Sequence, residues 1–160
     1  MRNARQAGSE FPMNPSLLAM LAVVFGGAAT ALQAPTNAKM MGAVGSPVNA
    51  AFVSFAVGTA ALGILAVVLQ VRPDLAASRA LPWYAWIGGL YGAIFVVAAA
   101  WGVPRLGVAT TIILMVAGQL LLSLVLDHFG VMGMPKHPVS LGRVAGIGLV
   151  IAGVLMVRKF

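Results

Sequence analysis

Charge is scarce in this chain. Of its 160 residues, 8% are Asp, Glu, Lys or Arg, and only three are acidic. Soluble domains carry about 25% charged residues, so this sequence cannot cover a water-facing surface. Cysteine is absent, which removes disulfides, thiolate nucleophiles and cysteine metal sites. Two histidines and three acids are too few for a metal cluster, and no metal or cofactor is expected. No Gly-rich phosphate loop, H-E-x-x-H or G-x-S-x-G occurs. Those absences argue against an enzyme.

What remains is apolar. Hydrophobic residues make up 61% of the sequence, and mean hydropathy is +0.99. The formal net charge is +7. In a soluble protein that balance would suggest nucleic acid. Here no basic patch is interleaved with aromatics, so no nucleic-acid partner is expected. The cations instead lie between apolar runs, where cytoplasmic loops and anionic lipid head groups place them.

A bilayer core takes about 20 mostly apolar residues per helix. That ruler predicts an all-α membrane protein with five transmembrane helices, over about 16–33, 47–71, 82–102, 106–126 and 141–157. The first break is a polar bend holding Gln33, Pro35, Thr36, Asn37 and Lys39. The second is Arg72-Pro73-Asp74 and the loop to Arg79. Pro104-Arg105 forms a tight third turn, and Asp127–Ser140 is a longer fourth loop. The domain organisation is then a tail at 1–15, one transmembrane domain at 16–157 and a short end at 158–160. A β-barrel is disfavoured, because barrel strands alternate apolar and polar residues and these runs are apolar on all faces.

The start of the chain imitates a secretory signal: Arg2 and Arg5, then an apolar run from Leu17. The run reaches about Ala34, long enough to span, and further spans follow, which favours a first transmembrane helix. Gly8-Ser9-Glu10-Phe11 has the look of a cloning scar, which would put the natural start at Met13. Five spans place the termini on opposite sides. Arg2, Arg5, Arg72, Arg79, Lys136 and Arg143 share the N-terminal side, against Lys39, Arg105, Arg158 and Lys159. The bias toward a cytoplasmic N-terminus is small, and so weak a preference permits insertion in both orientations.

Gln119, Ser123 and Asp127 are spaced i, i+4, i+8 and fall on one helix face. Gln119 lies about 12 Å from Asp127 along the axis, near mid-bilayer. A polar side chain there is expensive without a partner. Two readings fit: a substrate-facing stripe, or an interhelical hydrogen bond that fixes packing. Asp127 sits at a helix C-terminus, where the dipole disfavours a negative charge. An ion pair with Arg143 would offset that, and a titratable gate is the alternative. Gln33, Asn37 and Asn49 gather at the opposite membrane face, as a polar vestibule or as a hydrated loop with helix caps. Trp83 and Trp86, with Tyr84, suit the head-group layer and could line an entrance. Gly26 and Gly27 imply close helix contact or room for a ligand. Gly142, Gly146 and Gly153 allow backbones to approach, either within the chain or between copies.

These residues together resemble the drug/metabolite transporter superfamily, and its short five-helix bacterial branch in particular. The stretches that carry the resemblance are Ala31-Leu32-Gln33 with Asn37, Pro82 to Gly89 with Gly92-Ala93, and Pro104 to Gly107. To these add Gly118-Gln119-Leu120 with Ser123-Leu124, Asp127 to Gly130, and Arg143 with Gly146. The Gly118-to-Gly130 block is the most specific. Gly148 to Val154 also resembles the dimerising last helix of small multidrug resistance proteins. The resemblance implies half of a drug/metabolite-transporter-like bundle. It implies a multi-pass protein of the bacterial cytoplasmic membrane that moves a small solute and works with a second copy or a paralogous subunit. One departure stands out. Small multidrug resistance proteins couple to protons through a glutamate in their first helix, and Leu17 to Gln33 holds no acid. The competing expectation is a non-transporting assembly or accessory subunit.

Overall fold

The computed structural model describes residues 14–159; residues 1–13 of the expected tail, with Arg2, Arg5 and the scar-like stretch, lie outside the described residues, while Asn14 caps α1 and Pro15 opens it. The described residues form six α-helices and no strand. They are α1 (Pro15–Val44), α2 (Pro47–Val68), α3 (Leu75–Arg79), α4 (Gly88–Leu106), α5 (Val108–Phe129) and α6 (Leu141–Lys159). A 3-10 turn at Trp83–Ile87 leads directly into α4. Four helical segments are long and apolar enough to cross a membrane: Pro15–Val44, Pro47–Val68, Trp83–Leu106 and Val108–Phe129. The fifth expected span, Leu141–Val157, is a shorter apolar helix. The sixth helix, α3, is a five-residue element in the expected loop, capped by Asp74, whose carboxylate accepts from the N–H groups of Ala76 and Ala77.

Two expected breaks are absent. The chain does not bend at 33–39; α1 runs as one helix of 30 residues through Pro35. Proline removes one backbone bond, the one its N–H would make to the Ala31 carbonyl; two threonine hydroxyls add side-chain bonds to other carbonyls of the same helix. Thr30 Oγ1 donates to the Gly26 carbonyl and Thr36 Oγ1 to the Leu32 carbonyl, both at 2.9 Å. Packing completes the override, because Ala34, Asn37 and Ala38 are buried. The chain reverses instead at Gly45, which takes a left-handed φ of +81°. Ser46 then caps α2 by accepting from the Asn49 N–H at 3.0 Å, with Pro47 in the first turn.

Pro104 likewise does not end its helix. Helix α4 continues to Leu106, and the turn falls at Gly107, with φ +79°. Arg105 folds back along α4; its Nη1 donates to the Trp101 carbonyl at 2.6 Å and its guanidinium lies 4.2 Å from the Trp101 ring centroid.

Helices α1, α2 and α4 pack on one another, α5 packs on α4 and α1, and α6 packs on α5. The tightest packing lies at the end of the bundle that holds the Gly45 and Gly107 turns. Ala34, Ala38, Ala50, Ala51, Ala99 and Ala100 are buried there. Small side chains let backbones approach, which is how helices associate where lipid is as apolar as protein. Gly102 shows the same logic: a Cβ there would lie 3.2 Å from Thr111 Cγ2. The outward faces carry large exposed apolar residues such as Phe25, Leu62, Val67 and Leu149, the inverse of a soluble protein and the surface acyl chains require.

Candidate functional site

Three places gather the polar residues, and they are separate. The first is at the tight end. Gln33 Nε2 donates to Ser54 Oγ at 3.2 Å, linking α1 to α2. One turn on, Asn37 is 2% exposed, and its Nδ2 has no hydrogen-bond partner. Asn49 is exposed and belongs to the turn: its Nδ2 donates to the Val44 carbonyl at 2.9 Å, satisfying a helix end. Of the three amides expected at this face, one is paired, one is buried and unpaired, and one is a cap.

The second place is a cavity of about 270 Å³ between α1, α4 and α5. Gln119 lines it from α5, Thr30 and Gly27 from α1, and Phe95 from α4. Gly27 is what opens it on the α1 side, since nothing lies within 4 Å of where its Cβ would be, nor of the Cβ of Gly26. These glycines therefore leave room and make no close helix contact. Gln119 makes no hydrogen bond among the described residues. Its amide can both donate and accept, and no lipid group near mid-bilayer satisfies it. Thr30 spends its hydroxyl proton on Gly26 and keeps acceptor capacity. The rest of the lining, including Val23, Ile112 and Met115, is apolar. Among the described residues, no charged side chain lines this cavity.

The third place is a groove of about 330 Å³ between α5 and α6. Ser123 and Asp127 line it from α5, and Arg143 and Gly146 from α6. Arg143 Nη1 donates to Asp127 Oδ2 at 3.1 Å and to the His137 carbonyl at 3.3 Å. The 130–140 loop is pinned here as well: the His137 N–H donates to the Asp127 carbonyl at 2.9 Å, and the Val139 N–H donates to His128 Nδ1 at 3.3 Å. Ser123 Oγ donates back to the Leu120 carbonyl at 2.9 Å.

The polar stripe of α5 is thus divided between two concavities. Each i+4 step on a helix of 3.6 residues per turn rotates by about 40°, so Asp127 sits about 80° around α5 from Gln119. That rotation carries Ser123 and Asp127 to the α6 side. Trp83 and Trp86 are 75% and 65% exposed and line neither cavity. Trp83 packs edge-on against Tyr84, with ring centroids 6.1 Å apart. Gly142 and Gly146 are exposed, and no heavy atom lies within 4 Å of a Cβ built at Gly142, Gly146 or Gly153. That face of α6 is open in the single chain. Gly27, which the sequence leaves open between room for a ligand and close contact, leaves room; Thr30 and Phe95 escaped the sequence reading as cavity residues. Thr30 lies four residues after Gly26 and three after Gly27, and that spacing was the available signal.

Residues 18–156 match the model of a family described as "Putative inner membrane exporter, YdcZ". Inner membrane protein YdcZ of Escherichia coli (strain K12) is 38% identical over 77 residues, 48% of this chain and 51% of that protein. The similarity spans about half the length of that curated relative. No solved structure matches. The described residues form helices and no strand, four segments among them are long and apolar enough to cross a membrane, and the family match covers nearly all of these residues; together these lead to one placement. This is a multi-pass protein of the bacterial inner membrane that belongs to the YdcZ family, a branch of the drug/metabolite transporter superfamily.

Proposed function

We propose that this chain is one subunit of a small gradient-driven exporter, and that the α1–α4–α5 cavity is its substrate site. The carrying observation is Gln119. It is a hydrogen-bonding side chain near mid-bilayer, unpaired among the described residues, on the wall of a cavity that Gly27 leaves open. Ligand sites of this kind are mostly apolar, with a few placed polar groups that fix orientation. The lining selects a lipophilic solute with one hydrogen-bonding group. It offers no carboxylate to a cation and no cation to an anion. Asp127, the one acid on α5, lies on the far groove, paired with Arg143.

In this reading α6 is the fifth span. At 19 residues it is about 28 Å long, close to the hydrocarbon thickness of about 30 Å. The open face of α6 around Gly142 and Gly153 receives a second copy or a paralogous subunit, in parallel or antiparallel arrangement, while Gly146 lines the groove toward α5. Paired halves rocking around a mid-membrane site would provide alternating access. The expected partners are the bilayer, that second subunit and the solute.

The experiment is a thermal-shift panel of lipophilic solutes on the purified protein, followed by Gln119→Leu. The substitution should abolish the solute response and leave a folded, paired protein. If the response survives and stability moves by about 0.6–2 kcal/mol, Gln119 only packs helices, and the accessory-subunit reading replaces this one.

A further inference from the structure

The α5–α6 groove is polar at one end and apolar along the rest. Its polar end is the Asp127–Arg143 pair, in the last turn of α5 and the first turn of α6. The side chains are 42% and 40% exposed. Arg143 uses Nη1 for both of its bonds, to Asp127 Oδ2 and the His137 carbonyl. Its Nε and Nη2, and Asp127 Oδ1, have no partner among the described residues. The pair therefore presents a free cationic edge beside a free anionic edge. A ligand that matches both is itself a zwitterion, with acceptor oxygens toward the guanidinium and N–H donors toward the carboxylate.

From that pair the groove runs into the bundle. Leu120 and Val150 each lie two helical turns in, about 10 Å along their axes. Leu120, Leu124, Ile147 and Val150 form its walls. Gly146 leaves the middle open, because nothing lies within 4 Å of where its Cβ would be. A zwitterion-matching mouth at the membrane boundary, followed by an apolar trough, fits an amphiphile with a polar head and a hydrocarbon chain.

We propose that this groove is a specific phospholipid site. Its occupant is a zwitterionic phospholipid with a primary ammonium, of the phosphatidylethanolamine type. The phosphate lies against the free donors of Arg143, the ammonium donates to Asp127, and one acyl chain lies between α5 and α6. A choline head group fills the same space but has no N–H for Asp127. A glycerol head group leaves the carboxylate facing a net anion. The proposal is independent of the transport reading, since Gln119 lines the other cavity.

The test is native mass spectrometry of the full chain released from mild detergent, with equal amounts of phosphatidylethanolamine, phosphatidylcholine and phosphatidylglycerol. Soluble phosphoethanolamine is run separately. Phosphatidylethanolamine should be retained in preference to the other two. Arg143→Gln and Asp127→Asn should each weaken that retention about tenfold or more, the scale of a lost charge-assisted hydrogen bond. Val150→Trp, which fills the trough away from the ion pair, should weaken all three lipids. If a charge variant fails to fold, the head-group preference of the unaltered protein decides. Equal retention of the three lipids, unmoved by these substitutions, overturns the proposal. So does protection by phosphoethanolamine equal to that by the lipid, which would make this a site for a soluble zwitterion. Lipid on monomers but none on dimers would assign the groove to a second copy and overturn it equally.

Discussion

The Gln33–Ser54 hydrogen bond offers a quantitative check on the continuous α1 helix. Gln33 sits two residues before Pro35, and its Nε2 reaches Ser54 Oγ on α2 at 3.2 Å in a partly buried position. The bond is neutral on both sides and slightly longer than the usual N–H···O distance of about 2.9–3.0 Å. It should therefore sit near the average for interhelical hydrogen bonds in membranes, about 0.6 kcal/mol, and below the observed ceiling of about 1.7 kcal/mol. The perturbation is a double-mutant cycle of Gln33→Leu, Ser54→Ala and the pair. Each single change should cost about 1 kcal/mol, because it leaves one partner half-buried without a bond. In the Ser54→Ala background, Gln33→Leu should then cost only about 0.4 kcal/mol, the single cost less the coupling. Reversible unfolding in mixed micelles gives the four free energies. Zero coupling, with both single variants as stable as the parent, would mean that α1 and α2 do not meet at this level. The unbroken passage of α1 through Pro35 would then be wrong.

Reporter fusions placed after Phe129 and at the C-terminus should fall on opposite sides of the membrane within one inserted orientation, because α6 is expected to cross; agreement between them would reduce the spans to four. Gly153→Leu should lower dimer content in bilayers by filling the open face of α6, away from the α5–α6 groove, and an unchanged dimer would assign that face to contacts within one chain. Gly102→Leu should destabilise by about 1–3 kcal/mol through overpacking, because even a Cβ there lies 3.2 Å from Thr111. A variant as stable as the parent in the same unfolding assay would show that α4 and α5 are not in close contact at that point.

Apolar run length made the membrane class and the four long helices legible, since lipid imposes a minimum length on any crossing helix. The ends of helices were harder. Pro35 and Pro104 read as breaks by the rule for soluble helices. In a bilayer an interrupted helix has no water to turn to, so the remaining helical bonds and the packing of small residues on neighbouring helices carry it through the proline. Asn37 shows the same reversal: a residue typical of loops is 2% exposed in a seam of alanines. The true turn was written in Gly45-Ser46-Pro47, a left-handed glycine, a capping serine and a first-turn proline. The short helix α3 was likewise signalled by Asp74 as its cap. The polar positions of α5 were visible from spacing, but their division between two cavities was not. It follows from which neighbours flank α5, and the i+4 spacing of one helix carries no information about those neighbours.

The central claim is that Gln119 faces a solute path and not lipid or a sealed contact. No cysteine occurs in the chain, so a single cysteine at position 119 can be read without background. The decisive measurement is labelling of Gln119→Cys by a small membrane-impermeant thiol reagent, in intact cells and in inverted vesicles, with and without a solute that shifts the melting temperature of the unsubstituted protein. A wet cavity predicts labelling from at least one side and protection by that solute. Complete protection from both sides without solute would contradict the account.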